Sequence, residues 1–254
     1  LTGITDEEGV RYATYDYDSE GRAISSEHAG GVDDFSVTYN SDGTVTTTNA
    51  LGKETTYTFD TILGAKYVVQ VEGHASTHCA AANKFYTRDK MGFVESETDW
   101  NGNVTEYERD SFGQVTSKTE DVGGSAERTT TTTYDSTFRL PDVITETGKT
   151  TDYGYDSDGR MTSMTITDTN TSETRTTTYS YYSNTTDANG NTVLGKLHQV
   201  NGPRTDVTDV TTYTYDTSGR LTKTSNALGH ETETTSFDSA NRPLTVEDAN
   251  NVET

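Results

Sequence analysis

Two short segments of the chain combine residues of the types that bind metal ions. In the first, Asp16, Asp18 and Glu20 place carboxylates at alternate positions, Gly21 is the sixth residue, and Glu27 is the twelfth. Carboxylates at these positions outline a calcium-binding loop. That motif has helices on both sides, whereas the residues around this segment alternate as strands do. We therefore predict a hairpin turn, with calcium bound by Asp16, Asp18, Glu20 and Glu27 as the alternative.

The second segment carries His74, His78 and Cys79, whose side chains are typical zinc ligands. A structural zinc site closes with four ligands, and His78 and Cys79 are immediate neighbours in the chain. We predict a loop of small residues at a sheet edge, with zinc as the alternative. The single cysteine excludes a disulfide within the chain. No resident metal or cofactor is expected.

Serine, histidine and aspartate, the residues of hydrolytic triads, are all present. However, the sequence has no nucleophile elbow, no phosphate-binding loop and no paired-carboxylate motif. Any triad would be an arbitrary choice among many polar residues. We therefore expect no enzymatic activity.

The pattern Tyr-Asp-x-x-Gly-Arg recurs along the chain. Successive Asp or Asn residues of the pattern are 20 to 29 residues apart, except for one interval of 60. A period of this length predicts an array whose units bury apolar surface by stacking on their neighbours. The clear copies are Tyr17, Asp18, Gly21 and Arg22; Tyr155, Asp156, Gly159 and Arg160; and Tyr215, Asp216, Gly219 and Arg220. Partial copies are Asn40 with Gly43, Asp60 with Gly64, Asp89 with Gly92, Asp110 with Gly113, Asp135 with Arg139, Asp238 with Arg242, and a degenerate copy at Tyr182.

Each unit reads as two strands and two turns. Aromatic and small polar residues alternate before Asp216, which is typical of a half-buried strand. The Asp216 carboxylate can accept the amide two residues on, and Gly219 supplies the backbone angle of a tight turn, here called the first turn. A Thr-rich strand follows, and then a second turn at residues 226–229. Similar second turns occur at Asn49, Asp99 and Asp187. The pattern predicts an all-β fold, a repetitive antiparallel β-hairpin array.

The amino-acid composition alone would favour a disordered chain over a folded sheet. Hydrophobic residues make up 29% of the chain and the net charge is -22, values typical of disorder. Against disorder, the 16 Tyr and 7 Phe lie largely at repeat positions, and only 3 Pro occur in 254 residues. A sheet that wets one face needs fewer apolar residues than a compact globule. The sheet is therefore the preferred interpretation.

At the level of these motifs, the chain resembles the Rhs/YD-repeat proteins: bacterial Rhs and wall-associated toxins, the shell of insecticidal toxin complexes, and teneurins. The resemblance covers residues 1–254 and is most specific at residues 99–107, 213–222 and 226–232. It implies a curved or spiralling sheet that is part of a β-shell, which in the toxin members encloses a C-terminal toxic domain. Because the repeat pattern is cut at both ends, we expect residues 1–254 to be an internal fragment of a longer chain.

Charge narrows the choice of partners. The 41 acidic and 19 basic residues argue against nucleic acid, because phosphate contacts need Lys and Arg. No apolar run of membrane-spanning length occurs, so membrane insertion is not expected. The resemblance implies that the partners are the rest of the parent chain and an enclosed toxin domain.

Two functions remain. The first is a non-catalytic wall segment of a shell, secreted by a bacterium or held at its surface. The alternative is a surface adhesin or filament module that binds carbohydrate or another cell. Exposed aromatic residues at loop tips, such as Trp100 and Tyr182, would favour the adhesin, whereas aromatic residues aligned along the strands would favour the wall.

Overall fold

A computed structural model describes residues 1–77, 79–187, 189–191 and 193–254. These residues form 21 β-strands and contain no helix, so the all-β prediction is confirmed. Within the same ranges, no helix is long and apolar enough to cross a membrane. One candidate zinc ligand, His78, lies outside the described residues.

The chain divides into two compact units, Leu1–Thr129 and Thr130–Thr254. The strands of the first unit are β1 (Gly3–Thr5), β2 (Arg11–Tyr17), β3 (Ala23–His28), β4 (Val32–Tyr39), β5 (Val45–Thr48), β6 (Glu54–Ile62), β7 (Ala65–Gly73), β8 (Ala82–Arg88), β9 (Val94–Thr98), β10 (Val104–Arg109) and β11 (Val115–Glu120). In this unit each strand pairs antiparallel with the next strand along the chain. The first unit is therefore a meander.

The second unit repeats this plan. Its strands are β12 (Arg128–Tyr134), which begins just before the unit boundary, β13 (Pro141–Glu146), β14 (Lys149–Tyr155), β15 (Met161–Asp168), β16 (Thr174–Tyr181), β17 (Leu197–Asn201), β18 (Val210–Tyr215), β19 (Leu221–Ser225), β20 (Glu231–Phe237) and β21 (Pro243–Glu247). From β12 to β21, neighbours in sequence again pair antiparallel. The predicted array of hairpins is confirmed in both units.

One turn geometry connects most of these strands. At Asp216, the amide donates to the carbonyl of Arg220 and the carbonyl accepts from Gly219, both at 2.9 Å. The side-chain Oδ1 accepts from the amides of Ser218 and Arg220, also at 2.9 Å. The same pair of backbone bonds closes turns that begin at Asp6, Asp18, Asn40, Asn49, Asp89, Asp99, Asp110, Asp156, Asp187, Asp216, Asn226, Asp238 and Asp248. First and second turns thus share one local design, in which a short side-chain acceptor satisfies amides that the turn leaves unpaired.

The hairpins closed by first turns share one departure from regular strand pairing. In eight hairpins the second strand carries one extra residue, two positions after the turn, so that the register shifts by one. These are β-bulges, which bend a strand and increase its twist. The extra residues are Tyr12, Ile24, Glu95, Thr116, Thr162, His198, Thr222 and Leu244. A further extra residue in β7, Val69, lies farther from its turn. The sequence analysis did not predict them.

Two first turns differ in the structure from their predicted positions. Asp60 is within β6, and the chain reverses at Leu63 and Gly64, which both have positive φ (51° and 82°). This two-residue hairpin fits strand twist, so β6 continues past the expected turn. At Asp135, the Arg139 φ of 60° shows that Arg139 takes the glycine position of the turn, one residue later than usual. The residue at the arginine position there is Leu140, whose carbonyl bonds to the Asp135 amide.

The degenerate copy at Tyr182 is an enlarged first turn. The Tyr182 amide donates to the carbonyl of Lys196, and the Gly195 amide donates to the carbonyl of Tyr182, both at 2.9 Å. Gly195 and Lys196 therefore hold the glycine and arginine positions, with an insertion between them that contains the second turn at Asp187. Val193 in this insertion is fully buried. The insertion accounts for the long interval in the repeat.

The described residues contain very little conventional core. Only Ala13, Gly73, Gly92, Thr151 and Val193 are buried, and most strand side chains are half-buried. A meander with so little deep burial depends on contacts between neighbouring hairpins for its stability. This arrangement is compatible with the low apolar content of the sequence.

Two turn glycines have the same φ of 78° but different surroundings. Substituting each of them therefore measures the cost of backbone strain separately from the cost of a steric clash. A Cβ at Gly159 would lie 3.0 Å from Cδ1 of Phe138, whereas one at Gly229 would meet nothing within 4 Å. We expect Gly229→Ala to lower the free energy of unfolding by about 1 kcal/mol, the cost of a left-handed backbone. Gly159→Ala should cost about 1 kcal/mol more, because Phe138 must also move. Urea unfolding of the two variants tests this, and equal losses would contradict the packing argument.

Candidate functional site

The repeat-signature residues come together at the first turns. In three of these turns, the arginine Nε donates to the other oxygen of the aspartate that opens the turn: Arg22 to Asp18 and Arg160 to Asp156 at 2.7 Å, and Arg220 to Asp216 at 2.6 Å. Arg242 and Asp238 form the same pair at 2.7 Å. One aspartate oxygen therefore builds the turn and the other orients the arginine.

These contacts stabilise the ionised carboxylate. The backbone amide of Arg22 lowers the pKa of Asp18, and the Arg22 side chain lowers it further. The Arg242 amide and side chain lower the pKa of Asp238 in the same way. At the second turn opened by Asp187, the side-chain amide of Asn191 is the main cause of the lowered pKa. An asparagine at this position can thus replace the arginine inside the turn.

A tyrosine directly before the residue that opens a first turn acts between repeats. The Tyr39 hydroxyl donates to the Ala23 carbonyl at 3.1 Å, and Ala23 directly follows the arginine of the preceding first turn. The hydroxyl therefore satisfies a backbone group in the neighbouring hairpin. Equivalent bonds run from Tyr17 to Leu1, from Tyr155 to Pro141, from Tyr181 to Met161 and from Tyr215 to Leu197, at 2.7–3.0 Å.

The preceding turn also supplies a cation over the ring. The guanidinium carbon of Arg22 lies 4.2 Å from the centroid of Tyr39. The corresponding distances are 5.0 Å for Arg160 over Tyr181, 5.2 Å for Lys196 over Tyr215 and 4.1 Å for Arg220 over Phe237. We call this arrangement, a cation after one first turn stacked on the aromatic ring before the next, the inter-repeat latch.

In two repeats the latch partners are exchanged. Arg109 precedes Asp110 in the tyrosine position, and its guanidinium lies 5.5 Å from Phe93, which stands in the arginine position of the preceding turn. Arg109 Nη1 donates to the Val94 carbonyl at 3.0 Å, as the tyrosine hydroxyls do elsewhere. Arg88 also stands in the tyrosine position, and its guanidinium lies 4.9 Å from the ring centroid of Tyr67. The cation–aromatic contact is therefore retained when the side chains trade places.

The calcium candidates lie in a hairpin. Asp18 is bonded within its turn, and Glu20 pairs with Arg22 at 3.3 Å. Asp16 accepts from the Ser25 hydroxyl at 3.1 Å. The described residues contain no group of three or more side chains positioned to hold a metal ion. Of the carboxylates in the calcium alternative, Asp18 and Glu20 thus share Arg22 as a partner, and Asp16 bonds to Ser25.

The zinc candidates are positioned by the loop after β7. His74 Nε2 bonds to the Thr56 hydroxyl at 2.9 Å, at the end of a ladder that continues to Thr46. Cys79 is exposed, and its backbone bridges to Ser76. Nothing can be added for His78, which lies outside the described residues.

Of the two aromatic residues expected at loop tips, one is bound to the sheet. The Tyr182 hydroxyl donates to the Tyr213 carbonyl at 3.0 Å, and its ring packs at 4.3 Å from His198. Trp100 follows the aspartate of a second turn and is 45% exposed. The exposed loop-tip geometry is thus found at Trp100 and not at Tyr182.

Exchanging the partners of one latch tests the cation–aromatic contact directly. We expect Arg160→Phe and Tyr181→Arg each to destabilise the chain, because each leaves two like side chains facing one another. The double variant recreates the Phe93–Arg109 arrangement and should be more stable than the sum of the single effects by about 0.5–1 kcal/mol. Thermal unfolding of the four proteins gives this coupling. Additive effects would contradict the latch.

The turn carboxylates predict acid sensitivity. The pKa values of Asp18, Asp187 and Asp238 are lower in the folded chain than the unfolded value of about 3.9, so the stability that these three contribute is present above about pH 4. It is lost as the pH falls through the folded pKa. We expect Asp238→Asn, which keeps the Oδ1 acceptor, to flatten the fall of Tm between pH 5 and pH 2. The converse change, Asn226→Asp, should steepen it. An unchanged profile in both variants would rule out this origin.

Comparisons with known proteins give a fold but no family. No protein-family profile matches the chain, and neither does any curated protein. Among solved structures, the crystal structure of TcdB2-TccC3 is similar, with a TM-score of 0.69 and 14% identity over 96% of this chain and 14% of that chain. The TcdB2-TccC3-Cdc42 crystal structure has a TM-score of 0.54, with 14% identity over 96% of this chain and 15% of that chain.

A third similar structure, a Photorhabdus luminescens Tc holotoxin pore with a mutation in TccC3, has a TM-score of 0.53, with 14% identity over 96% of this chain and 15% of that chain. The chain thus spans about one seventh of the length of the structures it matches. At this identity the likeness concerns the fold. The chain has the β-sheet fold of a segment of these Tc toxin chains.

Proposed function

We propose that the chain is a non-catalytic segment of the wall of an Rhs/YD-repeat shell, which encapsulates or presents a C-terminal toxin or effector domain. The observation that carries the proposal is the inter-repeat latch, which joins successive hairpins of one design. The likeness to TcdB2-TccC3 over 96% of this chain supports it. A wall needs repeated units that hold their neighbours, and it needs no chemistry of its own.

The placement of the aromatic residues favours a wall over an adhesin. Tyr39, Tyr181 and Tyr215 lie at strand ends, where their rings and hydroxyls contact the preceding hairpin. Tyr182 is bonded to the sheet instead of projecting from a loop tip. The side chains that define the repeat are thus occupied in holding hairpins together.

The bulges support a bent wall. Eight hairpins carry the extra residue at the second position of the second strand. A bulge repeated at one position adds bend and twist in the same sense at every hairpin. Such accumulation is what a curved or spiralling sheet requires.

The proposed partners follow from this role. They are the remainder of the parent chain and an enclosed toxin domain; one solved structure of the similar TcdB2-TccC3 lacks a hypervariable C-terminal region. We place the protein in the secreted or cell-surface fraction of a bacterium. With 41 acidic and 19 basic residues, the chain is not proposed to bind nucleic acid, and membrane insertion is not part of its role.

Trp100 supports a second candidate, an adhesin or filament module that binds carbohydrate or another cell. Its indole is 45% exposed beside a second turn. An exposed indole offers a flat, amphipathic surface suited to a partner.

Protection of the enclosed domain tests the wall. In the full-length parent protein, we expect a protease to cleave the C-terminal domain much more slowly than it cleaves that domain alone. Arg160→Ala combined with Arg220→Ala removes two latches and should accelerate the cleavage. Arg204→Ala is the matched control, because Arg204 pairs only with nearby Asp206 and stacks on no described ring. Mass spectrometry of timed digests gives the rates.

The wall proposal fails if the C-terminal domain is cut as fast in the intact parent protein as in isolation. If the parent instead binds whole cells, and Trp100→Ala abolishes that binding while the digests show no protection, the adhesin replaces it.

A further inference from the structure

One groove in the first unit lies outside the latches and combines an indole with a cation. Its volume is about 330 Å³. It is bounded by the second turns at residues 49–53 and 99–103 and by the loop that follows β7. The lining residues include Lys53, Thr55, Gly73, Cys79, Ala82 and Trp100.

Gly73 determines where the indole lies. A Cβ at Gly73 would be 3.3 Å from Cζ3 and 3.6 Å from Cη2 of Trp100, and 3.2 Å from the carbonyl of Ala82. The absence of a side chain therefore lets the benzo edge of the indole rest on the buried backbone of β7. Trp100 stays 45% exposed, and within the described residues its Nε1 donates no hydrogen bond. The indole is a fixed wall with an open face.

Lys53 supplies charge to the same groove. Its backbone is fixed by the turn, since its amide donates to Asn49 Oδ1 at 3.0 Å and its carbonyl accepts from the Asn49 amide at 3.1 Å. Lys118, Lys149 and Lys223 form ion pairs, whereas among the described residues Lys53, like Lys66, Lys84, Lys90 and Lys196, has no carboxylate within 4.0 Å of its ammonium. In a chain with 41 acidic residues, a half-buried lysine without an acidic partner is a local site for an anion.

We propose that this groove binds a sugar acid, a hexuronate whose apolar ring face packs on Trp100 and whose carboxylate pairs with Lys53. Within the described residues, neither the Trp100 N–H nor the Thr55 hydroxyl of this lining has a hydrogen-bond partner, and we assign both to the sugar hydroxyls. An aromatic wall with a few polar groups is the usual composition of a small-molecule site. The net charge of -22 acts against an anion at long range, but salt screens it beyond about 8 Å, whereas the Lys53 contact is direct.

This inference names a ligand class for the carbohydrate-binding alternative at Trp100, and it does not depend on the wall function. A wall segment needs the latches and makes no use of the groove, because neither Trp100 nor Lys53 belongs to a latch. The groove and the wall can therefore fail separately.

The fluorescence of Trp100 reports on this groove alone, because it is the only tryptophan. We expect titration with D-glucuronate to change the emission saturably, with a Kd of about 1 mM for a ligand of this size. D-glucose, which has a neutral group in place of the carboxylate, should bind at least about 10-fold more weakly. Raising the salt concentration from about 50 mM to about 500 mM should weaken glucuronate binding.

Matched variants assign the contacts. Lys53→Met should raise the glucuronate Kd at least about 10-fold, whereas Lys90→Met, which removes the same charge from an exposed turn outside the groove, should leave it unchanged. Gly73→Ala should displace the indole, shifting the emission of the free protein and weakening the binding. Circular dichroism checks that each variant keeps its sheet.

The proposal is overturned by any of three results. These are no saturable change up to about 50 mM glucuronate, equal binding of glucose, or equal effects of Lys53→Met and Lys90→Met. Should Lys53→Met not fold, the salt dependence and the glucose comparison on the unmodified protein decide the question, and binding that is independent of salt rejects the ion pair.

Discussion

The stability of this chain depends on the inter-repeat latch, because the described residues have almost no deep core. Asp18 holds the Nε edge of Arg22, which leaves the face of the guanidinium available to the ring of Tyr39. The Tyr39 hydroxyl then reaches the backbone just beyond Arg22. One local turn is thereby connected to the next repeat through a charge-assisted hydrogen bond, a stacked cation and a backbone bond. Stability accumulates from neighbour to neighbour instead of from a common centre.

Variation among the repeats shows which part of the latch is essential. Phe237 has no hydroxyl, yet Arg220 stacks on it at 4.1 Å. Lys196 stands over Tyr215 although Tyr182 occupies the aspartate position of its turn. Where Phe93 and Arg109 exchange places, the contact and the backbone bond both persist. The hydroxyl and the turn carboxylate can each be absent, whereas a cation against an aromatic ring is common to these cases.

The sequence predicted the features that depend on neighbouring residues and missed those that depend on residues far apart in the chain. The turn at Asp216 needs only a side-chain acceptor and a glycine three residues later, so its position could be inferred from five residues. The turn predicted at Asp60 was wrong because β6 continues to pair with β7 beyond Asp60. That pairing favours a reversal at Leu63 and Gly64. The tyrosine hydroxyl bonds between repeats join residues 14 to 20 positions apart, as in Tyr155 with Pro141 and Tyr181 with Met161. No periodic pattern within one strand indicates such a bond, and none indicates a bulge.

The same constraint explains where a ligand site can arise. In a regular repeat, the aspartate, arginine and tyrosine already have partners, so few polar groups remain for a ligand. Surplus residues occur where the period is interrupted: in the long interval after Gly64, which contains the loop following β7, and in the enlarged turn at Tyr182. In the enlarged turn, Val193 is buried and Tyr182 is bonded to the sheet, so the additional residues of this turn serve packing. The loop after β7 instead borders an open indole and an unpaired lysine, so chemistry in this fold is expected at interruptions of the repeat and not in the repeat itself.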